Sequence, residues 1–299
     1  MIEQFLLYLK SNRSSENTIK NYRCDLQSIE RTTGKDLIDL TVNDVDKYMV
    51  KMMDRSKATI RRRFFSAKSF FKWATSRGIC ESNPFAILKP VKVPFSTPRP
   101  FTPDEIESFL SVIPENRIMD KLLFLLLVDT GMRISEALGL RISDVDLTDG
   151  DEKIIAKVKG GDVRTIHFAH SERLIKLMSR FIKQAQKKEA FLFSNEADLW
   201  QGGFGKGGIQ KGEISKRRNQ PITYIKANRR YAHYLKEAGI KGKTGLHTLR
   251  HTAATSFLNH GVDITVVQRM LNHASVTTTM RYTEVSNNFM KDQLRKMAV

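Results

Sequence analysis

Five prolines within residues 89–105 (Pro90, Pro94, Pro98, Pro100 and Pro103) constrain this chain more than any other feature. Each proline fixes φ and removes a backbone donor, so no helix or sheet ladder runs through the window. The segment reads as an extended linker, and it divides 299 residues into two lengths that can each bury a core. The expected organisation is a domain over 1–90, a Pro-rich linker over 91–102 and a second domain over 103–299. Thr102, with Pro103 at the first helical position and Glu105 behind it, opens the second domain on a helix.

Residues 1–90 read as all helical. Ser14 or Ser15 caps a helix carrying Ile19, Tyr22, Leu26 and Ile29 at core spacing. Thr41 or Asn43 caps a second with Val42, Val45, Tyr48, Met49 and Met52. A third spans 58–77 with Ile60, Phe64, Phe65, Ala67, Phe70, Phe71 and Trp73 as its apolar side. That helix also carries Arg61, Arg62, Arg63 and Lys68, candidates for phosphate or groove contacts.

In the second part, Ile106, Phe109, Leu110 and the run 121–128 suit buried helices. The segment 153–168, KIIAKVKGGDVRTIHF, alternates like a hairpin with Gly160-Gly161 at its turn. A helix over 171–187, a strand FLFSN over 191–195 and a helix over 222–238 follow. Residues 201–221 are rich in Gly and cations but lack the GxxxxGK[ST] pattern, so a nucleotide-binding loop is rejected. A flexible loop remains open there, as does DNA contact by Lys206, Lys211, Lys216, Arg217 and Arg218.

Charge narrows the partner. Fifty Lys and Arg against 32 Asp and Glu give +18, which favours a polyanion such as nucleic acid. The excess is +8 over residues 1–95 and +10 over the remainder, so both parts can meet a phosphate backbone. Cys24 and Cys80 offer neither a disulfide framework nor a metal cluster and fit a reducing cytoplasm. The N-terminus lacks the basic region and cleavage site of a leader, and the longest apolar run is far below the roughly 20 residues that span a bilayer. A cytoplasmic, nucleoid-associated protein with no membrane partner is expected.

The most informative stretch is 246–282, LHTLRHTAATSFLNHGVDITVVQRMLNHASVTTTMRY. His247 and Arg250 sit three apart and share a helix face, His273 follows a second amphipathic helix, and Tyr282 lies nine residues beyond. Two histidines, an arginine and a phenol brought together by short connections suit a phosphodiester.

Order and spacing here resemble the tyrosine recombinase (phage integrase) family. LHTLRHTAAT is similar to its His-x-x-Arg box, MLNHAS to its second histidine box and TTTMRYTEVS to its nucleophile segment. The segment 129–146, DTGMRISEALGLRISDVD, resembles its first arginine box, and residues 59–84 resemble the last helices of its DNA-core-binding domain. The resemblance covers nearly the whole chain. It implies a mainly α fold with a small β-sheet: an all-helical, SAM-like core-binding domain followed by an α+β DNA breaking-rejoining domain. It implies Arg133, Lys159, His247, Arg250, His273 and the nucleophile Tyr282 as catalytic residues, with Glu136 orienting Arg133. A surface ion pair is the alternative for Arg133 and Glu136.

Three departures are visible. Asp162 stands where the family has a second lysine, which leaves Lys157 as a substitute for Lys159. Leu246 stands where proline often precedes the first histidine, and the 201–221 connection is longer than usual.

The activity implied is site-specific recombination through a 3′-phosphotyrosyl intermediate and a Holliday junction, as in multimer resolution or integration and excision of a mobile element. It requires no metal and no other cofactor. A type IB topoisomerase shares the residue set and is the alternative. The implied partners are a double-stranded recombination site and further copies of the chain, two on one site and four in synapsis. An accessory DNA-bending protein or a partner recombinase is left open. The absence of an arm-binding module ahead of residue 1 suggests the simpler Xer-like or Cre-like members. The last 17 residues, with Phe289, Met290, Leu294 and Met297, suit a helix docked on a neighbouring protomer or on its own domain.

Overall fold

Ser15 accepts a hydrogen bond from the Thr18 amide, Thr41 from Asp44 and Ser56 from Thr59. Each side-chain oxygen satisfies an amide that the first turn leaves without a carbonyl. The helices so opened are α2 (Glu16–Thr33), α3 (Val42–Lys51) and α4 (Lys57–Ser76), and α1 (Ile2–Ser11) precedes them. The computed structural model describes residues 1–93, 99–158, 161–184, 190–195, 220–242 and 245–272.

The chain divides into two units, Met1–Ser96 and Thr97–Val299. The first is built on Phe5, Leu26, Ile29, Val45, Phe64, Phe70, Phe71 and Phe85. Phe5 meets Phe70 edge-on with centroids 5.5 Å apart, a geometry that favours aromatic pairs. Phe65 departs from the expected apolar side of α4. It is 45% exposed, lying one residue off the buried stripe, beneath the Arg61 guanidinium.

Thr102 and Glu105 cap each other across the first turn of α5 (Pro103–Ser111), and the Phe101 amide donates to Thr252 Oγ1 at 3.0 Å. Next comes α6 (Ile118–Thr130), in which every residue but Lys121 is buried. A helix buried all round sits at the centre of its domain, and this one packs against the later helices α8 (Glu172–Gln184) and α10 (His247–Asn259). Of its two buried acids, Asp129 accepts from Ser171 and Arg173, and Asp120 accepts from Arg117, from Arg230 on α9 (Tyr224–Glu237) and from the Tyr234 hydroxyl. Burial of either carboxylate is tolerable because its oxygens are met by charged and hydroxyl donors.

The short helix α7 (Ile134–Leu138) leads to a three-stranded antiparallel sheet of β1 (Val145–Asp146), β2 (Lys153–Lys157) and β3 (Val163–His167), in that order. The register pairs Lys153 with His167 and Lys157 with Val163, and Ile154, Ala156 and Ile166 face the core. The fold is therefore mainly helical with one small sheet.

The strand expected over 191–195 is not formed. Among the described residues it makes only single bridges, Arg141 with Phe191 and Ser194 with Pro221. The segment donates from the Leu192 amide to Leu140 on one side and accepts the Ile222 amide at Phe193 on the other. Leu192 and Phe193 are fully buried between them, so the apolar content is used without a ladder. The last helix among the described residues is α11 (Ile264–Leu271), capped by Asp263. No helix among the described residues is long and apolar enough to cross a membrane.

Candidate active site

Arg133 occupies the N-cap position of α7 with extended backbone. Its amide donates to Glu136 Oε2 and its Nη1 to Glu136 Oε1, both at 3.0 Å. Glu136 is buried, whereas the Arg133 side chain is 37% exposed, so a charged end held from below faces outward. The pair is thus not a free surface ion pair, the alternative open from sequence. Burial acts to raise the Glu136 pKa, but hydrogen bonding and charge from Arg164, then from Arg133, outweigh it and hold the group below the ordinary carboxylate range. Glu136 is ionised at neutral pH.

His247 opens α10 and Arg250 lies one turn on. Arg250 is buried and donates Nη1 to the Gly131 carbonyl at 2.7 Å and Nη2 to the Leu271 carbonyl. The His247 side chain reaches solvent, yet partial desolvation, followed by the charges of Arg250 and Arg133, lowers its pKa. The two cations and the desolvation act in one direction, so the imidazole is neutral at pH 7. His251 is lowered likewise, by desolvation and then by His247 and Arg250.

Three guanidiniums converge on one helix end. Arg164 of β3 donates to the Met270 carbonyl at 2.6 Å, Arg250 to Leu271, and Arg133 to Asn272 at 2.7 Å. The final carbonyls of a helix lack intrahelical partners and carry the negative end of its dipole. Here successive carbonyls are met by cations from β3, α10 and the start of α7. Asn272 takes a left-handed conformation, φ 50°, which short polar side chains tolerate.

Gly131 sits inside this arrangement. It ends α6 at φ 64°, and a Cβ there would lie 2.6 Å from Leu271 Cδ2 and 3.1 Å from Ala253 Cβ. Gly131→Ala should destabilise the protein by about 2 kcal/mol or more, from left-handed strain and overpacking. It should also lower DNA cleavage, because Leu271 and the Gly131 carbonyl both position Arg250. Chemical unfolding and cleavage rate measured on the same preparation check both effects.

Arg133, Glu136, His247 and Arg250 are thus brought together. Lys159, His273 and Tyr282 lie outside the described residues, as do Lys206, Lys211, Lys216, Arg217, Arg218, Phe289, Met290, Leu294 and Met297. Lys157 ends β2, exposed and paired with Val163. In the first unit, Arg62 pairs with buried Asp25, which also accepts from Ser66 at 2.8 Å. Arg63 lies 3.9 Å from the same carboxylate and donates to Met52 Sδ. Arg61 lies over the Phe65 ring at 5.7 Å and Lys68 over Phe64 at 5.9 Å.

Sequence reasoning missed Arg164. The available signal was its place two residues before Ile166, on the inward side of β3, where a charge must find partners.

A model of the phage integrase family matches residues 99–288, and a model of the phage integrase N-terminal SAM-like domain matches residues 2–78. The chain is 32% identical to tyrosine recombinase XerC of Roseiflexus castenholzii, an alignment covering 96% of this chain and 89% of that one. It is also 32% identical to tyrosine recombinase XerD of Proteus mirabilis, over 97% and 90%. Among solved structures, lambda integrase residues 75–356, a dimer bound to a COC′ core site, aligns with a TM-score of 0.73 at 18% identity, covering 95% of this chain and 94% of that one. XerH site-specific recombinase bound to a palindromic difH substrate aligns at 0.70 and 22%, covering 98% and 83%. These structural likenesses concern the fold.

Proposed function

The chain belongs to the phage integrase family and is a tyrosine-type site-specific DNA recombinase, and from that premise we propose how its residues divide the reaction. Arg133 and Arg250 take the non-bridging oxygens of the scissile phosphate as charge-assisted forks. The phenolic oxygen of Tyr282 attacks phosphorus, forming the Tyr282–phosphorus bond as the bond to the 5′ oxygen breaks. The phenolic proton passes to a histidine, His247 or His273, and Lys159 gives a proton to the departing 5′ oxygen. The phosphodiester energy stays in the 3′-phosphotyrosyl link, so religation needs no further energy source.

The single observation that carries this reading is the convergence of Arg133 and Arg250 on the helix end preceding His273, with His247 near enough to both for their charges to act on it. A charge clamp and a proton acceptor are what attack on a phosphodiester demands. The relatives described above are recombinases, and a type IB topoisomerase has no support among them.

On DNA, we place two copies on one site and four in synapsis, in the cytoplasm and at the nucleoid, with Arg61 and Lys68 of α4 as phosphate contacts. Arg62 and Arg63 spend part of their charge on Asp25 and contribute less. The loop cations Lys206, Lys211, Arg217 and Arg218 are assigned to the DNA backbone.

Covalent trapping tests the function. The protein is incubated with fragmented DNA from its own source and denatured, and the attached DNA is sequenced. Adducts at one defined site are expected. Scattered adducts with supercoil relaxation by a monomer would overturn the reading.

A further inference from the structure

Arg164 stands in none of the roles assigned above, yet it touches the site at two points. Its side chain is 12% exposed. Nη2 donates to Glu136 Oε2 at 2.7 Å and Nη1 to the Met270 carbonyl at 2.6 Å. The same Glu136 oxygen accepts the Arg133 amide, and the other accepts Arg133 Nη1. One carboxylate is therefore shared between two guanidiniums, one half open to solvent and one enclosed. Arg164 Nε is buried without a hydrogen-bond partner, so the group bears a desolvation cost that its two bonds must offset. Of the two arginines, Arg164 acts on Glu136 more strongly than Arg133 does.

We infer that Arg164 is a positioning residue for strand cleavage: by bridging Glu136 and the end of α11 it fixes the direction of the Arg133 fork. The inference rests on the reading of Arg133 and Arg250 as the phosphate clamp. Without Arg164, Glu136 keeps Arg133 alone and the Met270 carbonyl loses its cation. The Arg133 fork then has a looser base, although no group that touches DNA has been removed. Partners that orient a working residue from behind typically matter by about 10–100-fold, and a misplacement of about 1 Å can have the same effect.

The test uses the full chain and a nicked duplex bearing the site recovered by covalent trapping, made with either an ordinary scissile phosphate or a methylphosphonate. The methyl group removes the phosphate charge, so an arginine that answers that charge matters less. Single-turnover adduct formation is measured for wild type, Arg133→Ala, Arg164→Gln and Arg164→Lys, each normalised to wild type on the same duplex. Arg164→Gln is expected to cleave the phosphodiester about 10–100-fold more slowly, with duplex affinity within about threefold of wild type because no phosphate contact is lost. Its defect should shrink on the methylphosphonate in parallel with that of Arg133→Ala.

Arg164→Lys keeps the enclosed charge, and so the fold, but as a point donor it does not bridge both acceptors. It should show the same substrate dependence if the Gln variant fails to fold. Arg164 variants that cleave like wild type while Arg133→Ala is impaired would overturn the inference and leave the clamp standing. A defect equal on both duplexes would reduce Arg164 to a structural role and also overturn it. Arg133→Ala cleaving like wild type would instead refute the clamp itself.

Discussion

Tyr282→Phe is expected to abolish covalent DNA adducts and recombinant products, a loss of about 10⁴-fold or more in cleavage, while leaving site binding within about twofold of wild type. The substitution removes one oxygen. Phenylalanine keeps the ring and its bulk but has no atom that can bond to phosphorus, and a neighbouring water would yield a nick without a protein–DNA link. Affinity is set by phosphate charges and groove contacts elsewhere, so a gel-shift titration should not separate the two proteins. Denaturing electrophoresis of labelled duplex after incubation provides the measurement. An adduct of undiminished yield in Tyr282→Phe would mean that another residue is the nucleophile.

Arg250→Ala is expected to slow cleavage by roughly 10³–10⁵-fold, the range seen when a transition-state arginine is removed in phosphoryl transfer. Two separable effects combine. The charge facing the scissile phosphate disappears, and the carbonyls of Gly131 and Leu271 lose a donor. Because Arg250 is buried, the second effect should lower stability by about 1–3 kcal/mol. Arg250→Lys separates the two, since it retains the charge but not the planar fork that reaches two carbonyls. It should recover part of the stability and little of the rate. Equal cleavage by all three proteins under single-turnover conditions would remove Arg250 from the chemistry.

How much of this was legible beforehand depended on the range of the interaction concerned. Helix starts at Ser15, Thr41 and Thr102 follow from bonds three residues long, and the sequence carries them openly. The Arg133–Glu136 and His247–Arg250 pairs are also local, one turn of chain each. The pairing of Arg62 with Asp25 spans 37 residues and that of Arg164 with Glu136 spans 28, beyond what periodicity encodes. Residues 191–195 failed as a strand for a related reason. Their apolar character suits burial, but a ladder also needs a neighbouring strand, and two different segments each supply a single bridge.

Helix α6 has a bearing on how the protein is made. Its 13 residues leave the ribosome before either α8 or α10, which pack against it. At roughly 5–20 residues per second, several seconds pass between synthesis of Ile118–Thr130 and of the helix that carries Arg250. Throughout that interval the most apolar segment of the second unit stands without its full cover. The last part of that cover to emerge is also the part that holds His247 and Arg250, so the chain cannot shelter its core without assembling its arginines. A truncated product ending before residue 247 would expose that core, aggregate and be degraded, and cells would be spared a half-built enzyme competing for DNA.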